Sequence, residues 1–457
     1  MDPRTRRLLE GPIVPTLLRL AAPNVVVMVM QASIGLIETY FLARLGLDAL
    51  AGVALVFPVL MLFQMISAGA MGGGILSAIA RALGRGDKDA ANVLVWHAVA
   101  LAVGLGVATM AVTLLFGPAL YAAMGGRDGS LAAATLYSHL IFSGAVLIWL
   151  FNSFAAVIRG TGNMAVPAWV TAIGAIVLIP LSPVLIFGLG PFPKLGIAGG
   201  ATAVLLYYFV GSAVFIVYIW SGRGVLKPSF RPARLQWTPL REILRVGAVS
   251  SVVSVSTNVS IGVTTGLAGL LGPAAVAGYG TGARLEYLLV PLVFGLGAPV
   301  GAMVGTAIGA GQVERALRAA WTGALIAGII TEAIGLAAAL FPHAWLALFG
   351  ADATMLTVGT QYLQIVGPFY GFFGAGLALY FASQGAGRLG WPATAAILRI
   401  VIAAGGGFLA IRMGLGIVGL FAAVGIALAI FGVINAAAIV LGAWFKRERV
   451  AAVPQPS

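Results

Sequence analysis

Long apolar runs follow one another along this chain, broken by short polar connections. Stretches without a single Asp, Glu, Lys or Arg occupy 49–80, 90–126, 129–158, 160–193, 195–222, 246–283, 287–313, 353–387 and 413–445. A helix that crosses a bilayer needs about 20 mostly apolar residues, and several of these runs hold one crossing plus a connection. A transmembrane barrel would show short alternating segments instead. The pattern predicts an all-α integral membrane protein with twelve transmembrane helices, at 17–44, 50–80, 91–118, 131–158, 164–188, 196–220, 246–271, 275–308, 317–341, 353–380, 390–411 and 415–443.

Composition agrees. The chain is 61% hydrophobic and 9% charged, with a mean hydropathy of +1.05, whereas soluble domains carry about a quarter charged residues. Its 63 glycines suit the close backbone approach that packs helices in lipid. Of 26 Lys and Arg, Arg44, Arg127, Lys194 and Arg412 fall on one side and Arg284 and Arg399 within spans, leaving 20 on the side of the N-terminus. Basic residues favour the cytoplasmic side, so both termini are expected there, in a bacterial-type inner membrane. The net charge of +13 then reflects topology and contact with membrane lipid, and nucleic acid is not implied. The stretch "MDPRTRRLLEGPIVP" lacks the apolar core and cleavage site of a removed signal peptide. With no cysteine, disulfides, thiolate metal sites and cysteine nucleophiles are excluded.

The longest polar connection, 221–245, divides two halves that repeat each other. "IRGTGNMAVPA" at 158–168 matches "SQGAGRLGWPA" at 383–393, and "ALGRGDKDAA" at 82–91 matches "AIGAGQVERA" at 307–316, both 225 positions apart. "LFGPALYAAMGG" at 115–126 pairs with "LFPHAWLALFGA" at 340–351, and "LGIAG" at 195–199 with "LGIVG" at 415–419. Six spans per unit give both copies the same orientation, so a pseudo-two-fold axis should run along the membrane normal with a binding site between the halves. The expected organisation is an N-lobe at 1–222, a cytoplasmic linker at 223–245, a C-lobe at 246–445 and a tail at 446–457.

Polar residues inside the spans are the candidate chemistry, because a charge at the bilayer centre costs roughly 2.5–3.5 kcal/mol even on lenient scales. Three acids lie there: Glu38, Glu286 and Glu332. Asn24, Gln31 and Glu38 recur every seven residues and share a helix face. The corresponding helix of the second half carries Ser250, Ser254, Thr257, Asn258 and Thr265, which suggests a hydrated cavity between the lobes. A carboxyl whose contact with water changes between two conformations binds protons differently in each, so an ion gradient can bias them. Glu38 is the leading coupling group and Glu286, with Arg399 a possible partner, the second. Glu332 suits a packing role. Residues alone leave H⁺ and Na⁺ both open as coupling ion. His97, His139 and His343 are scattered, the glycine-rich "MGGGILSAIARALGRG" lacks the Lys-Ser/Thr of a phosphate loop, and no enzyme motif, metal site or cofactor is implied.

The residues resemble the multidrug and toxic compound extrusion (MATE) family, within a superfamily that includes lipid-linked oligosaccharide flippases. The markers are "IETYFLARLGLDALAGVALVFP" at 37–58, "ARALGRGDKDAA" at 80–91, "IRGTGNMAVP" at 158–167, "PLSPVLIFG" at 180–188, "LGIAGGATA" at 195–203 and "SQGAGR" at 383–388. The resemblance implies two six-helix lobes, alternating access and export of organic cations against H⁺ or Na⁺. It carries a coupling role to Glu38, where relatives often have aspartate. Ser182 stands where one branch has a second N-lobe aspartate, and Thr257 and Phe373 stand near a C-lobe acidic pair of another. These departures favour H⁺ over Na⁺. The expected function is therefore a monomeric, cation-coupled exporter of small lipophilic organic cations, with Asn24, Gln31, Ser182, Ser254, Thr257 and Asn258 lining its cavity. A flippase or exporter of a lipid-linked or anionic substrate is the alternative.

Overall fold

The structure, a computed structural model, describes residues 2–349 and 352–444; the side chains at 28–29, 31–39 and 43 are outside the described residues. The helices are α1 (Pro3–Glu10), α2 (Ile13–Ala43), α3 (Leu47–Gly84), α4 (Lys88–Ala123), α5 (Asp128–Ser143), α6 (Ala145–Gly160), α7 (Ala165–Phe187), α8 (Ile197–Trp220), α9 (Trp237–Gly269), α10 (Pro273–Gly309), α11 (Val313–Leu340), α12 (Ala353–Ala386), α13 (Gly390–Arg412) and α14 (Gly416–Val440). Ten are long and apolar enough to cross a membrane, the bent pair α5–α6 makes an eleventh crossing, and α2 completes the set at 31 residues. Each half is an all-helical bundle, and the repeat reaches every helix after α1, which has no counterpart in the second half. α3 and α10 end 225 residues apart, as do α6 and the closing turn of α12 to within one residue, and α7 and α13 match at both ends.

One span departs from expectation. The stretch predicted as a single helix at 131–158 is two helices meeting at Gly144, bent by 50°. Gly144 leaves the helical ladder at φ −94°, ψ 16°, and a Cβ there would drive into the Leu205 side chain of α8. The neighbouring helix therefore leaves no room for a side chain at this position. The equivalent place in α12 is also irregular, a 3₁₀ turn at Gly367–Phe369 around Pro368, which has no N–H to continue the ladder.

The two halves meet along a seam that is close at one end. That end carries α1 and the 221–236 connection, and we call it the linker end. There the second part of α3 packs on α9, α10 and α12, and the first part of α2 packs on α10. Small residues make this possible. A Cβ on Gly84 would collide with the Thr306 carbonyl and one on Gly309 with the Arg81 carbonyl, while Gly305 faces Ala80. Toward the far end α3 turns away to pack on α5, and the later part of α2 packs on α7. Halves that touch at one end and diverge at the other form a cleft.

Candidate functional site

Polar side chains reinforce the closed end. Arg81, buried in α3, donates from one Nη to the Gly385 carbonyl at 2.7 Å and from the other to Glu242 Oε1 of α9 at 2.7 Å. Gly385 lies next to the last residue of α12, where carbonyls lack intrahelical donors, so a guanidinium from the opposite half completes the helix end. Gln384 donates to the Gly69 carbonyl at 3.2 Å across the seam and to Ser250 Oγ at 2.8 Å. Helix α1 lies over the same end. Arg315 of α11 donates to the Leu8 and Gly11 carbonyls at 2.8 and 2.6 Å, whereas Arg4 donates to the hydroxyl of Tyr218 on α8 at 3.1 Å. α1 thus straddles both halves.

Between the halves sits a small cavity of about 20 Å³. Its walls come in repeat-related pairs 225 positions apart, among them Gly72 with Gly297, Gly73 with Ala298 and Arg159 with Gln384. The cavity therefore lies on the pseudo-two-fold axis.

On the open side α9 presents the stripe foreseen in its sequence. Asn258 is exposed, donates to the Ser254 carbonyl at 3.2 Å and reaches Met65 Sδ of the first half at 3.4 Å. Thr257 donates to the Val253 carbonyl at 3.3 Å. Gly262 and Gly266, one and two turns further, have nothing within 4 Å of where a Cβ would sit. Ser254, Asn258, Gly262 and Thr265 share a face, and the valines at 252, 255, 259 and 263, also exposed, form an apolar one beside it.

The second half buries one ion pair. Glu286 of α10 and Arg399 of α13 are 3.7 Å apart and both nearly inaccessible. Tyr362 donates to Glu286 Oε1 at 2.5 Å, and the guanidinium lies 4.9 and 5.8 Å from the ring centres of Phe373 and Phe431. The partner suggested for Glu286 from sequence is thus the one it has, and Phe373 serves as a face for the cation.

The remaining sequence candidates are distributed. Glu38 and Gln31 are helical in α2, but their side chains are outside the described residues. Glu38 is five residues before the end of α2 and Ser182 five before the end of α7, two helices packed together. Asn24 and Ser182 are buried with no hydrogen bond at the Asn24 amide or the Ser182 hydroxyl. Of the residues expected to line the cavity, Asn24, Ser182, Ser254, Thr257 and Asn258 do not border the axial one. Glu332 accepts the Gly371 N–H at 2.7 Å within the second half, in keeping with packing. Sequence reasoning missed Arg159, although its alignment with Gln384 in the repeated motif was a usable signal. It also missed His97, whose Nε2 accepts the Gln236 N–H at 2.9 Å and holds the connection that leads into α9. Among the described residues no three His, Asp or Glu side chains gather to hold a metal.

A cleft between repeat-related helical bundles is the plan of many secondary transporters, and comparison with known proteins gives the family. The MatE family model matches residues 23–184 and 250–409, one segment in each half. The chain belongs to the MatE family. It is a multi-pass membrane transporter, not an enzyme. It is similar to a "FAD transporter" of Shewanella oneidensis, 28% identical over 82% of both chains. It is also similar to a "Probable multidrug resistance protein NorM" of Thermotoga maritima, 28% identical over 81% of this chain and 80% of that one. Among solved structures, one titled "Outward-facing conformation of a multidrug resistance MATE family transporter of the MOP superfamily" superposes with a TM-score of 0.87 at 25% identity, covering 97% of this chain and 99% of the other.

Proposed function

We propose that this transporter is a secondary active multidrug exporter that exchanges lipophilic organic cations for protons by alternating access, with both termini and the linker end in the cytoplasm. The observation that carries the reading is the one-sided seam: contact concentrated at the linker end, through the Arg81 bridge and the glycine crossing of α3 and α10, is what one half of such a cycle requires. The basic residues at that end support the orientation. The resemblance to a multidrug resistance protein supports the substrate class.

In this reading the cytoplasmic side opens by parting Arg81 from Gly385 and Glu242, and substrate enters. The seam then closes to the state described, and the cleft faces outside. Glu38 takes up a proton there, which favours release and the return. The polar stripe of α9 lines the route. Sodium in place of the proton is the competing coupling scheme, and a negatively charged cargo is the competing substrate class, favoured by the similarity to a FAD transporter.

Efflux from proteoliposomes decides, with pH and sodium gradients imposed separately against cationic, neutral and anionic compounds. A pH gradient alone should drive export of cations, and Glu38→Gln should abolish it while the protein still inserts. Drive by sodium alone, or full activity of Glu38→Gln, would overturn the coupling scheme.

A further inference from the structure

Arg159 is out of place for a residue of the closed seam. It closes α6, is 9% exposed, and its Nε is buried with no hydrogen-bond partner. Among the described residues no carboxylate pairs with it; the ion pairs there belong to Arg6, Arg81, Arg318 and Arg399. A buried cation without a counter-charge is costly. The other buried guanidiniums of the seam and the second half, Arg81 and Arg399, both have acids. Arg159 has instead the axial cavity, which it lines together with Gln384, glycines and the rings of Phe294 and Phe381.

The repeat explains why only one cation is there. Arg159 and Gln384 are equivalent positions, so a fully symmetric chain would aim two guanidiniums at one cavity. Here the second is an amide whose two N–H bonds are shared among the Gly69 carbonyl, Ser250 Oγ and the Tyr380 hydroxyl. The site is left with a single positive charge and no built-in negative one.

We propose that the axial cavity binds one small inorganic monovalent anion of chloride size, held by Arg159, in the state closed at the linker end. A cavity of about 20 Å³ exceeds the roughly 10–15 Å³ that one water-sized occupant needs, and it is too small for an organic cargo. Both walls of the cavity come from opposite halves, so parting the halves dismantles the site. An anion that binds only the closed state stabilises it in proportion to its concentration. Chloride is then a conformational effector, independent of the coupling ion assigned above.

The test uses the purified full-length protein in detergent. Thermal unfolding is followed while sodium gluconate is replaced by sodium chloride at constant ionic strength. Chloride should raise the midpoint saturably in the wild type, and Arg159→Gln, which installs the residue of the other half, should lose the response. Equal midpoints in both salts, or a response that survives Arg159→Gln, overturns the proposal. Crystals of the unaltered protein soaked in bromide give a readout that needs no variant: an anomalous peak beside Arg159 supports the site, and its absence at saturating bromide refutes it. Efflux driven by a pH gradient separates this idea from the functional reading, because that drive can fail while bromide still binds, and the converse.

Discussion

Replacing Arg81 by Met should open the linker end. In the closed state the Arg81 guanidinium satisfies the Gly385 carbonyl, which no backbone N–H reaches, and pairs with Glu242. The Glu242 side chain is 53% exposed, so that pair contributes at most about 1 kcal/mol. The buried carbonyl is different. Left without a donor it costs about 1–3 kcal/mol, and this loss is felt only while the halves are together, since water reaches the carbonyl once they part. Relief of the desolvated guanidinium offsets part of it. A net penalty of about 2 kcal/mol on the closed state is a roughly thirtyfold shift, enough to raise an open population of about 1% to about a quarter. The chain contains no cysteine, so cysteines placed at Lys88 and Gln312, both exposed at this end, can carry spin labels without background. Arg81→Met should add a longer-distance population at their expense of the short one, and Glu242→Gln should add much less. An unchanged distribution in Arg81→Met, or equal effects of the two substitutions, would refute the assignment of the closing energy to the Gly385 carbonyl.

Gly309→Ala should have the same direction through sterics, because its Cβ meets the Arg81 backbone carbonyl and overpacking costs about 1–3 kcal/mol; the Lys88–Gln312 label distances read it, alongside slowed efflux. Arg315→Gln removes both hydrogen bonds that tie α1 to the second half, and should raise proteolytic cleavage within α1 without lowering the yield of folded protein. Glu286→Gln strands the Arg399 guanidinium in an apolar setting and should destabilise by about 3–5 kcal/mol, seen as a lower unfolding midpoint. The double change Glu286→Gln with Arg399→Met should recover most of that loss.

Much of the fold was legible because lipid imposes it. Length and apolarity placed the spans, and a duplication read from four short motifs extends to every spanning helix of the structure. The broken span at Gly144 was not legible, since the contact that excludes a side chain there comes from Leu205 on a separate helix, α8. Single charged residues were legible as exceptions to the apolar rule, and Arg399 was one candidate partner for Glu286 on sequence alone. Contacts that depend on closure were hidden. Arg159 reads as one more cation near a span end until the halves come together, and His97 reads as isolated until the connection folds back 139 residues later to offer Gln236. Glu332 likewise stands alone in sequence and meets the Gly371 N–H only through packing.

The repeat is kept in backbone and abandoned in chemistry, and the pattern of abandonment bears on coupling. Glu286 and Arg399 correspond, 225 positions earlier, to Met61 and Gly174, so the first half has no such pair. Position 174 is instead covered by the ring of Tyr207. Conversely, the register of α2 on α9 sets Glu38 against Gly262, Val263 or Thr264, none of them acidic. Each half therefore carries one intramembrane acid of potential functional use, and in the second half that acid, Glu286, has its own counter-cation in Arg399. A carboxylate that already holds a guanidinium at 3.7 Å, with a tyrosine hydroxyl on its other oxygen, gains little from an incoming ion, because its charge is answered in any conformation that keeps Glu286 beside Arg399. The proposed ion drive then belongs to the first half, where α2 passes from the closed seam beside α10 to the diverging end beside α7. An acid five residues from that end of α2 sits on the helix that touches both regions, and a change in its charge acts where the two halves part.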